Sequence, residues 1–302
     1  MLVAGVDVGG TNFRVGVFSG GDLHWEKRFE ADFSTLCRTG RDATSTIMET
    51  MASAISEALH EFPEIMAIGI GFPGFIDPQT MLISSSPNLP GLANVDIAGP
   101  LSRRFGLPVV VENDALAAAY GEHVFGACEN LIYVGLGTGV GGGLIVKSVA
   151  YQGEHGVAME IGHIIVEPGG RSCGCGNRGC LERYASASGV SISYQELDGR
   201  QLSSKEIAAL AEKGDVSAVA AFDLAGSMLG FALSHIIKVV DVAHVVIGGG
   251  LSEGWHLLEK PFRQRFEADL IPVLRGKCDV RVSRAHDRAG MLGAASLAGN
   301  QR

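Results

Sequence analysis

Two short stretches, DVGGTNFRVG at residues 7–16 and GLGTGVGGG at 135–143, each set a glycine turn between apolar segments rich in β-branched residues. Around the first turn, LVAGVDV, FRVGVFS and LHWEKRFE are separated by Gly9–Gly10 and Gly20–Gly21, which predicts an antiparallel meander of three strands. Ile47, Met51, Ile55 and Leu59 then recur at helical spacing, so a core-facing helix is expected over 40–62. IMAIGIGFPG reads as a strand ending in a loop, followed by a short helix near 95–105, the strand PVVVEN and a helix over 114–124. A second cycle opens at residue 131 with the strands LIYVGLG and GGLIVK around their own glycine turn. After a Cys-rich segment come mostly helical residues 183–240, the strand VAHVVIG, the loop GGLSEG, a helix, a strand near 279–284 and a last helix over 288–302. A meander that leads into helices, met twice, predicts an α/β protein of two lobes of similar design. The expected boundary puts one lobe at 1–120 and the other at 121–302, with the last helix able to pack back on the first lobe. A chain of 302 residues is long enough for two cores.

The formal charge of −9 and the lack of a basic cluster argue against a nucleic-acid partner, whose phosphates are held by grouped Lys and Arg. MLVAGVDVGG has no basic leader and is interrupted by Asp7, so it does not read as a secretory signal. No apolar run is seen that approaches the roughly 18 residues needed to cross a bilayer. The expectation is a soluble, cytoplasmic chain with no membrane partner. Six cysteines are too few for a disulfide scaffold, and Cys37, Cys128 and Cys278, each alone among apolar residues, read as buried, inert thiols.

In DVGGTNFRVG an acidic residue, Asp7, ends a strand; Gly9 and Gly10 turn the chain; Thr11 and Asn12 open the next strand. Backbone N–H groups and a hydroxyl converge there as a phosphate requires, with Asp7 facing the metal that accompanies it. The glycines alone describe only a hairpin; the flanking Asp7 and Thr11 carry the phosphate reading. Gly137, Gly139 and Gly142 fit a G-x-G-x-x-G pattern, but LIVK after them is a strand, and a dinucleotide fingerprint must open a helix. A second strand–turn–strand phosphate loop at Gly137, Thr138 and Gly139 fits better. A third turn, at Gly248, Gly249 and Gly250, lets a flat ring or a ribose approach the backbone closely.

VENDALAAAYGE places Asn113 and Asp114 between a strand and a helix. They read either as a helix cap or as a carboxylate base beside a phosphate cradle. In EIGHIIVEPGGRSCGCGNRGCLE, Cys173 and Cys175 are too close for an unstrained mutual disulfide. Cys173, Cys175, Cys180 and His163 together offer the four ligands of a closed, structural zinc site.

Taken together these motifs resemble the ROK family (repressors, open reading frames and kinases), specifically its ATP-dependent hexokinases, from Asp7 nearly to the C-terminus. The resemblance implies a two-lobed actin-like ATPase fold of the ribonuclease-H-like kind, with ATP and sugar in the interlobe cleft. It implies ATP and Mg²⁺ as cofactors beside structural Zn²⁺, and a homodimer. It makes Asp114 the catalytic base and Asn113 a ligand of the sugar, gives Glu160, His163 and Glu182 to the sugar as well, and shares His163 between zinc and sugar. SSSPNLPG resembles the loop of family glucokinases, with Asn88 near the sugar, so glucose phosphorylated at its 6-hydroxyl is the leading expectation. HGVAMEIGH and the short PNLP loop also resemble the family's allose kinases, and kinases for N-acetylmannosamine, N-acetylglucosamine or fructose share the same catalytic parts. Met159 departs from the small residue common before the Glu and alters the pocket edge. A sugar-responsive repressor of the family is the non-enzymatic alternative; its helix-turn-helix module would precede the first loop, which here begins at residue 7. If the knuckle serves the sugar residues, loss of metal should weaken sugar binding before ATP binding.

Overall fold

The computed structural model describes residues 1–39, 42–285 and 288–300. The chain divides into two compact units, one of Met1–Asn130, Gly143–Ala158 and Ala285–Arg302, the other of Leu131–Gly142 and Met159–Arg284. In this division the last helix groups with the first unit, and so does the segment Gly143–Ala158.

In the first unit β1 (Leu2–Val8), β2 (Asn12–Ser19) and β3 (Asp22–Glu30) form the meander, followed by α1 (Phe33–Thr39) and α2 (Ala43–Glu61). The expected helix thus begins at Ala43; residues 40 and 41 lie outside the described residues. β4 (Ile65–Phe72), the short hairpin β5 (Phe75–Ile76) and β6 (Ile83–Ser85), α3 (Ala98–Phe105), β7 (Val109–Asn113) and α4 (Asp114–Gly126) complete the segment. Neither α1 nor the β5–β6 hairpin is apparent in the sequence pattern, because each is too short to establish a period.

β8 (Leu131–Leu136), β9 (Val140–Val146) and β10 (Val149–Ala150) make the second meander. The helical stretch after it splits into α5 (Glu182–Ala185), α6 (Ala187–Asp198), α7 (Ser204–Ala211) and α8 (Val216–Val240). Then come β11 (His244–Gly248), α9 (Trp255–Asp269), β12 (Asp279–Val282) and α10 (Ala289–Asn300); residues 301 and 302 of the expected last helix lie outside the described residues. The two sheets run β3-β2-β1-β4-β7 and β10-β9-β8-β11-β12, the same order of meander and crossover strands in each.

β1 and β4 are apolar along nearly their whole length because both faces of the sheet are covered. Ile47, Met51 and Ile55 of α2 join Val6, Val15, Ile68 and Ile70 in one cluster, while Met291, Leu292 and Ala295 of α10 join Val3, Ala67 and Val110 in another. β3, at the sheet's edge, alternates and carries Asp22, Glu26, Lys27 and Arg28, charges that blunt an exposed edge.

α10 lies so close to the sheet that a Cβ on Gly69 of β4 would fall 1.8 Å from the carbonyl oxygen of Ala294. In the second unit α8 corrects the expectation that no apolar run reaches membrane-spanning length. Its 25 residues carry a window of mean hydropathy 1.7, and half of that window is buried, against α5, α6, α7 and α9. It is the core helix of its unit, and in the sequence its apolar residues form no unbroken run because Asp223, His235 and Lys238 interrupt them.

Replacing Gly69 by Ala is expected to lower the unfolding free energy by at least about 2 kcal/mol through overpacking against α10. Gly21→Ala, at an open hairpin position, should stay within about 0.5 kcal/mol. Chemical denaturation of both variants checks this, and equal stabilities would mean that α10 can yield.

Candidate active site and metal centre

The parallel register pairs Asp7 of β1 with Gly71 of β4, and Gly71 with Glu112 of β7. The C-terminal ends of three neighbouring strands therefore carry Asp7, Gly71 and the Glu112–Asn113–Asp114 turn. Ligands of open α/β sheets gather at such ends. The Cα of Asp114 lies 3.6 Å from where a Cβ on Gly71 would stand, so the start of α4 packs directly against β4 there. The Asp7 carboxyl lies against the first turn of α10, with Cγ 2.6 Å from a Cβ position on Gly290, where the helix dipole favours its charge.

Between β1 and β2, Gly9 N–H donates to the Asn12 carbonyl at 2.9 Å and closes a three-residue turn. Thr11 is exposed on it and accepts from Asn12 Nδ2 at 3.3 Å. Ser34 ties this turn to a second loop: its N–H donates to Gly10 O at 2.9 Å and its hydroxyl to Asn88 O at 3.5 Å. Asn88 itself is exposed.

Asn113 is the N-cap of α4. Its Oδ1 accepts from Leu116 N–H at 3.0 Å and its Nδ2 donates to Gly74 O at 3.1 Å. The helix-cap reading of this residue is thus realised, and the amide retains one lone pair and one N–H for any further partner. Asp114 accepts Ala115 N–H at 2.8 Å, yet desolvation outweighs that bond and holds its carboxyl above the ordinary aspartate value. Two further residues escape sequence reasoning. Glu112, 6% exposed, accepts Asn113 N–H at 2.7 Å and Gln152 Nε2 at 2.5 Å, and burial raises its carboxyl against both bonds. A lone Glu in an apolar strand is the available signal for the first; nothing local marks the second.

In the second unit the turn between β8 and β9 repeats the first: three residues, Gly137 to Gly139, with Gly137 N–H donating to Gly139 O at 3.0 Å. The third glycine turn stands beside it, since a Cβ on Gly249 would fall 2.5 Å from Leu136 O; Gly248 ends β11 and Gly250 faces open space. Ala187 N–H donates to Gly137 O at 2.9 Å and Ser188 Oγ to Thr138 O at 2.5 Å, so the start of α6 holds this loop from behind. Both bonds cross about 50 residues of sequence, which is why no local pattern announces them.

His163, Cys173, Cys175 and Cys180 come together with all four donor atoms within 4.8 Å of one another. Cys175 and Cys180 Sγ are 3.6 Å apart, and Cys173 Sγ is 3.7 Å from His163 Nδ1. Zinc–sulfur bonds of about 2.3 Å at tetrahedral angles place neighbouring sulfurs about 3.8 Å apart, so this donor set fits zinc. Burial, followed by the neighbouring carboxylate of Glu182, pushes the Cys173 thiol far up, whereas Cys175 is held below the ordinary value, hydrogen bonds from Asn177, Cys173 and Cys180 outweighing its desolvation. The other three cysteines are half-buried, not buried as expected, though desolvation still raises Cys37 and Cys278.

The remaining carboxylates stand around this cluster. His163 Nε2 is 3.8 Å from Glu160 Oε2, while Nδ1 is 3.9 Å from Glu182 Oε1. The Cys173 thiol donates to the same Glu182 oxygen at 3.0 Å. Its other oxygen lies 2.8 Å from a Cβ position on Gly139, so Glu182 sits between the cysteine cluster and the second glycine loop. Arg171 anchors the knuckle: it stacks on Tyr184 at 4.5 Å, donates to Arg183 O at 2.6 Å and Ser193 Oγ at 3.0 Å, and pairs with Glu196 at 2.5 Å.

A glycine hairpin repeated in each unit, an acidic turn at parallel strand ends and a His–Cys knuckle define a sugar-kinase-like protein of the actin-like ATPase class. The model of the ROK family matches residues 3–301, and the chain belongs to that family, with its two-lobed actin-like fold. It is 34% identical to a glucokinase of Thermotoga maritima, over 98% of this chain and 97% of that one. An N-acetyl-D-glucosamine kinase of Shigella boydii is 33% identical, over 97% and 98%. The crystal structure of a ROK family glucokinase from Streptomyces griseus in complex with glucose and AMPPNP superposes with a TM-score of 0.79 at 32% identity, covering 99% of each chain.

Purified protein is expected to hold about one zinc per chain. Cys180→Ser, at a fully buried position of the cluster, should lose it. Elemental analysis decides, and zinc retained at the same stoichiometry in that variant would exclude Cys180 as a ligand.

Proposed function

We propose that this chain is a cytoplasmic, ATP-dependent hexokinase that transfers the γ-phosphoryl group to the 6-hydroxyl of glucose and works as a homodimer. The observation that carries the reading is Asp114. A desolvated carboxylate with a raised pKa stands at the end of a parallel strand, two strands from Asp7 and the Gly9–Gly10–Thr11–Asn12 turn. Phosphoryl transfer needs positioned groups and charge neutralisation more than covalent help, so a base, phosphate turns and a metal suffice.

In this reading Asp114 Oδ accepts the proton of the sugar hydroxyl as its oxygen attacks the γ-phosphorus. Gly137, Thr138 and Gly139, with Gly248, Gly249 and Gly250, hold ATP; Asp7 serves Mg²⁺, which would neutralise phosphate charge. Asn88, Asn113, Glu160, His163 and Glu182 take the sugar hydroxyls. His163, Cys173, Cys175 and Cys180 would hold structural zinc, leaving His163 Nε2 for the sugar because Nδ1 faces the cysteines. Glucose is favoured by the glucokinase relatives, which run the length of the chain. N-acetylglucosamine is the second candidate, on the strength of the kinases for that sugar at 33% identity. Met159 sits directly before Glu160 with φ +64°, a backbone conformation uncommon for residues other than glycine.

A coupled assay of ADP release across glucose, N-acetylglucosamine, allose, mannose, fructose and N-acetylmannosamine is expected to give the highest kcat/KM with glucose. No release above the ATP-only rate with any sugar would end the enzyme reading. Asp114→Asn should reduce kcat by at least about a thousandfold. In the unaltered protein kcat/KM should fall as pH drops through the raised Asp114 pKa, so the acid limb should lie above the ordinary aspartate value of 3.8.

Chelation of zinc should weaken glucose binding, and through Glu182 on Gly139 the binding of an ATP analogue as well. This goes beyond the order expected from the sequence, where only the sugar residues flank the knuckle. Calorimetric titration of stripped protein with an unchanged circular dichroism spectrum tests it; unaltered affinity for both ligands would show that the knuckle acts on neither.

A further inference from the structure

Glu112 is a carboxylate that no part of the proposed reaction uses, buried one residue before the Asn113–Asp114 turn. Burying an ionisable side chain costs free energy unless its bonds do something. One carboxylate oxygen takes Asn113 N–H at 2.7 Å, at the end of the edge strand of its sheet, and the other takes Gln152 Nε2 at 2.5 Å. Asn113 is thus held at three points: its peptide N–H by Glu112, its side-chain Oδ1 by Leu116 N–H and its Nδ2 by Gly74 O. The next residue is Asp114, the first of α4. Where the Asn113 peptide sits decides where the Asp114 carboxyl points.

Gln152 is not on β7 or α4 but in the loop after β10, and that loop is itself fixed. Ala158 N–H donates to Gln152 O at 3.2 Å, and Gly156 is so near β5 that a Cβ on it would fall 1.9 Å from Ile76 O. The Glu112–Gln152 bond therefore joins the turn bearing the base to the segment that runs directly into Met159 and Glu160.

We infer that Glu112 and Gln152 form a positioning pair that fixes the Asn113–Asp114 turn for phosphoryl transfer. The inference rests on the reading of Asp114 as the base. A misplacement of about 1 Å in such a group can lower turnover by about a hundredfold. Steady-state kinetics with glucose and ATP on the full chain test it.

Glu112→Ala should lower kcat about a hundredfold with the KM for ATP within about twofold, and Gln152→Ala should lower it about tenfold. Glu112→Gln should recover most of the rate, since a carboxamide oxygen still accepts Asn113 N–H and the Gln152 amide can turn to meet the new N–H. A role confined to stability would lower the melting temperature without this split between kcat and KM. Should Glu112→Ala fail to fold, Gln152→Ala and Glu112→Gln decide alone: unchanged kcat in the first, or loss in the second as deep as in Gln152→Ala or deeper, overturns the proposal. Glu112→Ala within threefold of the parent kcat, beside an inactive Asp114→Asn, also overturns it while leaving the base in place. An active Asp114→Asn would remove the base itself, and this inference with it.

Discussion

The parallel register of β1, β4 and β7 is the constraint on which the first unit's chemistry depends. It sets Asp7, Gly71 and Glu112 side by side, with Asn113 and Asp114 directly after Glu112 and the first glycine turn directly after β1. The register is itself held by packing. α2 covers one face with Ile47, Met51 and Ile55, and α10 covers the other at backbone distance through Gly69. A shift of one residue would exchange the positions of β1 and β4 that face α2 with those that face α10 and move Gly69 out from under α10, so core energetics and the placing of Asp7 and Asp114 are one problem.

The second unit is built on the same strand order, but its fine placement depends on the knuckle. Three thiols and an imidazole converge, and the carboxylates of Glu160 and Glu182 are set by their contacts with His163 and Cys173. Arg171 fastens this loop to α5 and α6, and α6 in turn bonds the carbonyls of Gly137 and Thr138. The His–Cys cluster, the carboxylates and the glycine loop thereby form one continuous polar assembly. Networks of this kind stabilise when every member is satisfied and are disrupted when one is removed.

Much of this was legible in the residue order. Both glycine hairpins, the END turn and the His–Cys cluster are short-range patterns, since turn chemistry and cysteine spacing are local. Of the two readings of the END turn, the helix cap is observed: Asn113 caps α4, whose first residue is Asp114, the base proposed above. Less legible were α1 and the β5–β6 hairpin, too short for any period, and α8, whose interrupting charged residues disguised an apolar core helix.

By itself the sequence determined which residue types stand at strand ends and turns, because hydrophobic period, glycine turns and cysteine spacing act over a few residues. Only the tertiary structure decided which distant groups meet. Glu112 finds Gln152 across 40 positions, Glu182 reaches Gly139, and Ala187 and Ser188 hold the second loop. Such pairings come from the packing of whole elements, and an isolated Gln, Ser or Glu carries no local signal of the partner that packing will bring to it.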